Sequence, residues 1–190
     1  MANTELTSMA TTAAIAGIRA GFSWDTQKET NVGVNTTNSG GFSFSKSYTY
    51  ATTGAVNTVS KFYVNQINLA ESASTTLDLA GVLLDPFGDT ITFTKVRYIY
   101  IELVLDDTKN SRGIEVGGGS NLFGTFFSLS GTTPVAKIKI QRGGNFQLVA
   151  GSGDGYDVTA GTGDILTLTN NATVGTEDGG AIIRICIAGV

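Results

Sequence analysis

The longest run of β-branched and aromatic residues in the chain extends from Thr90 to Asp107 and reads TITFTKVRYIYIELVLDD. It contains no glycine or proline, and its Val, Ile, Thr, Tyr and Phe side chains fit the pleated, half-buried surface of a strand. Apolar residues line one side of the run, but Lys95 and Arg97 interrupt that side. The interruption predicts a bend or bulge at this point, or a strand that leaves one sheet for another.

The opposite side of the same run carries Tyr98 and Tyr100, which indicates that this side is partly covered as well. Strands of this length usually cross the middle of a sheet. We therefore expect the run to be the central strand of an all-β domain.

Shorter runs on both sides of it predict further strands. Phe42–Tyr50 (FSFSKSYTY) alternates with period two, as a strand with one wet face does. In the connection before the central strand, Val82, Leu83 and Leu84 are expected to tuck under the sheet. Other strands are predicted at 28–34, 59–69, 75–79, 114–116, 123–129, 135–141, 145–150, 165–170 and 181–187. This spacing favours an all-β, antiparallel β-sandwich that is jelly-roll-like, with no helix longer than two or three turns.

The N-terminal part differs from the rest. Residues 1–21 are small and mostly polar, with a weakly helical patch at Met9–Arg19, and are interpreted as an N-terminal arm, either a frayed terminus or a segment that orders against a neighbouring subunit. The β-sandwich domain then spans 22–190, and 22–70 is a candidate for a separate strand-exchanging or interface segment. Its aromatic side chains are candidate interface residues: Phe22, Trp24, Phe42, Phe44, Tyr48 and Tyr50. As an alternative to an interface, a sugar-binding platform would be formed by Phe42, Phe44, Tyr48, Tyr50, Phe62 and Tyr63.

Composition narrows the chemistry. Of the 190 residues 41% are hydrophobic and 15% charged, so the surface must be covered largely by Thr, Ser, Asn and Gly. The net charge of -4 and the lack of a basic block argue against nucleic acid as a partner. No 18-residue apolar run and no secretory signal are visible, so we expect no membrane partner. The chain has no histidine, which removes the commonest general base and metal ligand.

The remaining candidates for chemistry favour structural roles. The glycine-rich stretches at 117–119, 143–144 and 151–153 lack the Lys-Ser/Thr and the helix of a phosphate loop, and are interpreted as turns. Acidic residues in loops (Asp106, Asp107, Asp154, Asp157, Glu177 and Asp178) lack the spacing of a calcium loop. The lone Cys186 lies in an apolar strand and is expected to be a buried, inert thiol. We therefore predict no catalytic residue, no metal and no cofactor.

From about Ser74 to the C-terminus, the chain resembles a group of small bacteriophage virion proteins. The resemblance is carried by TLDLAGVL, TITFTKVRYIYIELV, GIEVGGGSNLF, IKIQRGGNFQLVAGSGDGYDVTAGTGDILTLTN and the closing AIIRICIAGV. Such proteins are β-sandwich subunits of the capsid decoration, cement or head-fibre type.

This resemblance implies a non-enzymatic virion structural protein that binds the capsid exterior and stabilises the shell. Its partners would be further copies of itself, as a trimer or dimer, and the major capsid protein, and it would be located in the virion after assembly in the host cytoplasm. The alternative is a receptor- or carbohydrate-binding module of a phage tail or fibre. An enzyme such as a glycan depolymerase is the least favoured function, because the acidic residues form no recognisable pair.

Overall fold

The computed structural model describes residues 18–22, 26–28, 36–38, 44–48, 58–81, 83–106, 112–124, 136–150, 155–172 and 179–190. The chain divides into two units, one of Ile15–Tyr50 and the other of Met1–Ala14 with Ala51–Val190. In the first unit β1 (Ile18–Phe22) pairs antiparallel with β4 (Phe44–Tyr48), and β2 (Thr26–Lys28) pairs with β3 (Thr36–Asn38).

These pairs bear on the N-terminal predictions. β4 confirms the strand predicted at 42–50, whereas the strand predicted at 28–34 meets β2 only at Lys28. The last residues of the predicted helical patch, Ile18 and Arg19, belong to β1, so the patch is wrong there, and its remainder lies outside the described residues. The bounds proposed for the arm and for the 22–70 segment stay predictions.

The second unit is built from short strands, as expected. They are β5 (Lys61–Leu69), β6 (Ser74–Asp78), β7 (Leu83–Leu84), β8 (Thr90–Ile91), β9 (Lys95–Leu103), β10 (Ile114–Gly117), β11 (Lys137–Ile140), β12 (Asn145–Val149), β13 (Tyr156–Asp157), β14 (Ile165–Asn170) and β15 (Ala181–Gly189). β5, β6, β10, β11, β12, β14 and β15 confirm the predicted strands there. Of the strand predicted at 123–129, residues 125–129 lie outside the described ranges.

Eight of these strands pair in a nested order. The first strand of the set pairs with the last (β5 with β15), the second with the seventh (β6 with β14), the third with the sixth (β9 with β12) and the fourth with the fifth (β10 with β11). Two further pairings, β9 with β15 and β10 with β14, join these hairpin-like pairs into sheets. The nested antiparallel order is the jelly-roll arrangement, so the fold class predicted from the sequence is confirmed.

The larger sheet has the order β12-β9-β15-β5, with β13 also pairing β9, and the smaller sheet has the order β11-β10-β14-β6. Their facing surfaces enclose one apolar cluster. The fully buried members come from both sheets and include Ile99, Ile101, Leu103, Ile183, Ile185 and Ile187 from the larger, and Ile114, Leu166 and Leu168 from the smaller. Burial of these aliphatic side chains is the main stabilising contribution to the sandwich.

The central run is divided in two. Thr90 and Ile91 form β8, which pairs with β7, while Lys95–Leu103 forms β9 in the middle of the larger sheet. This confirms the central strand, and the passage from one sheet to another is one of the alternatives that the interruption predicted.

The predicted irregularity lies at Arg97. Ala188 of β15 pairs with Tyr98, but the next residue, Gly189, pairs with Val96, so Arg97 is the extra residue of a β-bulge. Gly189 suits this position because a Cβ there would collide with the carbonyl oxygen of Lys95. Arg97 is 2% exposed and donates from Nε to the carbonyl oxygen of Thr58 at 2.9 Å. The bulge shifts the alternation by one residue, which is why Val96 joins the core although the pattern placed it on the other side.

The connection at 82–84 agrees with expectation only in part. Leu83 is 7% exposed and belongs to the core, but Leu84 is 55% exposed, so the expectation that it tucks under the sheet is wrong. Alternation within β7 sends the two side chains to opposite sides. Val82 lies outside the described residues. Across the described ranges, no helix has the length and apolar character to cross a membrane.

Candidate functional site

The outward faces of the two sheets differ in chemistry. On the smaller sheet the outward positions are almost all polar. Neighbouring strands contact each other there through polar groups: the Ser74 and Thr169 hydroxyls lie 3.0 Å apart, and Lys137 Nζ lies 2.6 Å from Glu115 Oε2. We call this surface the polar outer face; it comprises Ser74, Thr76, Asp78, Glu115, Lys137, Lys139, Ile165, Thr167 and Thr169.

The outward positions of the larger sheet carry mostly apolar and aromatic side chains, in cross-strand rows set by the register. We call this surface the apolar outer face. Its four rows, each read from β5 through β15 and β9 to β12, are Phe62-Ala188-Tyr98-Val149, Val64-Cys186-Tyr100-Gln147, Gln66-Arg184-Glu102-Asn145, and the shorter Asn68-Ile182-Val104. The fourth row follows from the register of the third, and the Val104 amide donates to the Ile182 carbonyl oxygen at 2.9 Å.

Large apolar groups on this face remain in contact with solvent. Val64 on the edge strand β5 is 54% exposed, and Tyr98, Tyr100 and Cys186 on the two inner strands are partly exposed. Tyrosine has an apolar ring and a polar hydroxyl, a combination that is common at protein interfaces. Such a cluster on the outer face of one sheet, where the outer face of the other sheet is almost all polar, is typical of a contact surface.

Partial burial raises the pKa values of three side chains on this face. Desolvation raises the pKa of Tyr98, and the neighbouring Cys186 adds to the increase. Desolvation also raises the pKa of Tyr100, with a contribution from the carboxylate of Glu102. Desolvation alone raises the pKa of the Cys186 thiol. All three groups are therefore held in their neutral forms, which suits a surface that must lose water when a partner binds.

Only one row of the apolar outer face carries charge. Arg184 Nη1 lies 3.7 Å from Glu102 Oε2, longer than a hydrogen bond, and the side chains are 58% and 31% exposed. Exposed pairs of this kind contribute little to stability. The row therefore adds one positive and one negative charge to a face that is otherwise neutral.

An open depression of about 340 Å³ lies within the apolar outer face. Val64, Gln66, Tyr100, Arg184 and Cys186 line it, together with Asn65 and Ile185. Its walls offer a neutral thiol, a phenol and a guanidinium, but no general base beside the thiol in the described residues. This arrangement suits binding by contact rather than covalent catalysis.

The prediction for Cys186 needs one correction. The thiol is partly exposed on the apolar outer face and does not belong to the buried core cluster. The reason is register, because Ile185 and Ile187 occupy the inward positions of β15 and leave Cys186 facing outward. Its raised pKa agrees with the predicted low reactivity.

The residues predicted as an interface fall on the first unit. Phe22 on β1 is opposite Phe44 on β4, and Tyr48 is opposite Ile18, so these three belong to one antiparallel pair. Trp24, Phe42 and Tyr50 lie outside the described residues. Their role as an interface stays a prediction.

The other candidates are placed as follows. Gly117, Gly118, Gly119 and Gly143 have positive φ angles, as turn glycines do, and 151–153 lies outside the described residues. Asp157 is paired with Lys95 at 2.6 Å. Asp107, Asp154, Glu177 and Asp178 fall outside the described ranges. In the part of the chain that the structure describes, no three His, Cys, Asp or Glu side chains form a group able to hold a metal ion.

The sequence argument missed the apolar outer face as a unit, although it contained one signal. Tyr98 and Tyr100 indicated that the second side of the central strand is covered. The same pattern, apolar residues in both phases of the alternation, also occurs at Phe62 and Val64 in β5 and at Cys186 in β15, and it marks strands that are covered on both faces. Which residues share a row could not be read from the pattern.

Comparison of the chain with models of known protein families, with curated proteins and with solved structures finds no match.

Proposed function

We propose that this chain is a non-enzymatic structural subunit of a bacteriophage virion, which binds the capsid exterior and stabilises the shell as a decoration or cement protein. The major capsid protein and further copies of the chain are its proposed partners. The resemblance of residues 74–190 to small virion proteins gives the proposal its biological setting.

The observation that carries the proposal is the contrast between the two outer faces. A neutral face with exposed Val64 and partly exposed tyrosines is suited to a broad protein contact, because desolvating it costs little and buries apolar area. The opposite face, with Glu115, Lys137 and its Thr side chains, suits permanent contact with water. One contact face and one polar face suit a subunit that binds the proteins proposed as its partners, further copies of the chain or the capsid protein, while its opposite side stays in water.

Particle binding tests the proposal. The full-length chain would be mixed with virions from its source that lack it, and the particles sedimented. We expect saturable co-sedimentation and a higher temperature of DNA release after binding. Gold-labelled antibody on native particles should label the whole shell. No label on any particle and no co-sedimentation would contradict a virion role.

Carbohydrate or receptor binding at a tail or fibre is the second candidate, and the paired Tyr98 and Tyr100 favour it. Tyrosine rings beside amides such as Gln147 resemble a sugar-stacking platform, and the Gln147 amide lies 3.5 Å from the Tyr98 hydroxyl. A glycan array and adsorption to host cells test this candidate. Binding in either assay, together with label confined to a tail or fibre, would favour it over the shell.

A further inference from the structure

The apolar outer face is self-complementary. Two identical sheets that pack face to face around a two-fold axis exchange positions across that axis, so each residue meets the partner's copy of its mirror position. If the axis runs along the seam between β15 and β9, β15 lies over the partner's β9 and β5 lies over its β12. The register then fixes which side chains face each other.

The innermost positions of the second and third rows are matched in size or charge. Arg184 faces Glu102 of the second copy, and Glu102 faces its Arg184, which gives two reciprocal ion pairs. In the second row the small Cys186 meets the large Tyr100. Ala188 of the first row is fully buried within its own chain and takes no part in the contact.

The outer positions are matched in the first and third rows, whereas in the second row Val64 faces the amide of Gln147. The amides of Gln66 and Asn145 face each other at the ends of the charged row. Phe62 faces Val149 at the ends of the first row, so apolar groups meet apolar groups. In this register no two like charges face each other. The net charge of -4 on each chain makes two copies repel each other at other parts of their surfaces.

The size of the face is adequate for a dimer. Strands lie about 4.8 Å apart and outward side chains repeat about every 6.8 Å, so four strands and four rows project onto an area on the order of 500 Å². Accessible area exceeds projected area because side chains stand up from the sheet. The face therefore approaches the roughly 800 Å² per partner that standard interfaces bury.

We infer that the chain forms a two-fold dimer through the apolar outer face, with β15 over the partner's β9 and Arg184–Glu102 pairs exchanged between copies. The inference rests on the proposed function in that it names the self-association of the same subunit. The packing is the aligned sheet-on-sheet kind, with the two sheets about 10 Å apart.

Charge exchange between chains tests the dimer. The variants R184E and E102R would be examined separately and as an equimolar mixture by sedimentation velocity. Each variant alone brings like charges together in both copies, so we expect the dimer to weaken at least about tenfold. In the mixture, pairs within a chain stay alike while pairs between chains become opposite, so we expect heterodimers of the two variants. The doubly exchanged variant R184E/E102R should dimerise by itself.

A matched pair of variants locates the face. Val64 and Leu84 are exposed to nearly the same extent, 54% and 55%, but only Val64 lies on the apolar outer face. V64E should give a folded monomer, whereas L84E should keep the wild-type dimer. Circular dichroism would confirm that both variants fold. Equal behaviour of the two variants would overturn the inference.

Two further outcomes would overturn it: a wild-type chain that stays monomeric as its concentration rises, or an equimolar mixture that forms no heterodimer. The first would mean that another partner, such as the capsid, covers the face. Particle binding is measured in parallel so that the two claims separate. A monomer that binds virions contradicts only the dimer, and a dimer that ignores virions contradicts only the virion role.

Discussion

The two outer faces of the sandwich are built from the same kind of strand but for different surroundings. In β14, buried leucines alternate with Thr167 and Thr169, so this strand presents hydroxyl groups on the polar outer face. β15 alternates buried isoleucines with Arg184 and Cys186, and its neighbours place Val64 and Tyr100 beside them. Both sheets supply the same core, and only their second faces differ. The second face of the larger sheet therefore gains from losing contact with water, whereas that of the smaller sheet is well solvated.

The largest effects should come from the inner faces, which the two sheets share. Ile101→Ala in the larger sheet and Leu168→Ala in the smaller sheet should each lower the free energy of unfolding by ~2–5 kcal/mol, because both side chains are fully buried and their removal leaves a cavity. Urea denaturation measures this. A loss below about 1 kcal/mol at only one of the two sites would mean that the sheets do not share one core.

The outer faces should then respond differently to substitution. Tyr100→Ser removes a large side chain that faces Cys186 of the partner in the inferred dimer, and should raise the dissociation constant about tenfold or more. Thr167→Ser on the polar outer face serves as the control and should leave association unchanged. Sedimentation equilibrium measures both, and an equal effect of the two substitutions would remove the distinction between the faces.

The thiol of Cys186 offers a chemical probe of the apolar outer face. Its raised pKa means that less thiolate is present at about pH 8 than in the unfolded chain, so labelling by a thiol reagent should be slower in the folded protein. The midpoint of the labelling rate against pH should lie above that of the denatured chain. If the dimer covers the thiol, V64E should label faster than L84E.

Linkage gives the sign of the same effect on stability. A pKa raised in the folded state contributes stability that is fully present below the unfolded pKa, and this stability is lost as pH rises through the folded value. The free energy of unfolding of wild type should therefore fall more steeply in alkali than that of Cys186→Ala. Parallel curves for the two proteins would contradict the desolvated environment assigned to the thiol.

The smallest effect is expected on the polar outer face. The hydrogen bond from Lys137 lowers the pKa of Glu115, so the ionised pair contributes stability above the unfolded pKa that is lost as pH falls through the folded value. Because the Lys137 side chain is 46% exposed, we expect less than about 1 kcal/mol. Urea denaturation of wild type and Glu115→Gln at acidic and neutral pH measures it. A difference between the two proteins that grows towards acid would reverse the assigned sign.

Local chemistry in the sequence was sufficient to identify most of the fold. β-Branched runs bounded by Gly and Asn marked the strands, because such side chains fit a pleated surface and such residues make turns. The two cationic residues Lys95 and Arg97, which interrupt an apolar run, indicated where the bulge lies. A charged residue at a position that the alternation assigns to the core favours a shift of that alternation. The exposure of Leu84 and the outward position of Cys186 were not predicted, because a short or wholly apolar strand gives no sign of which side faces the core.

By itself, then, the sequence determined most strands of the sandwich, the sandwich class and the absence of a recognisable catalytic motif, all of which depend on residues near one another in the chain. Only the tertiary structure decided which second face is apolar and which side chains share a row. Val64, Cys186 and Tyr100 come from three distant strands and become neighbours through the register of the larger sheet. Register is set by packing of the whole core, and a shift of one residue would turn every one of these side chains to the other face.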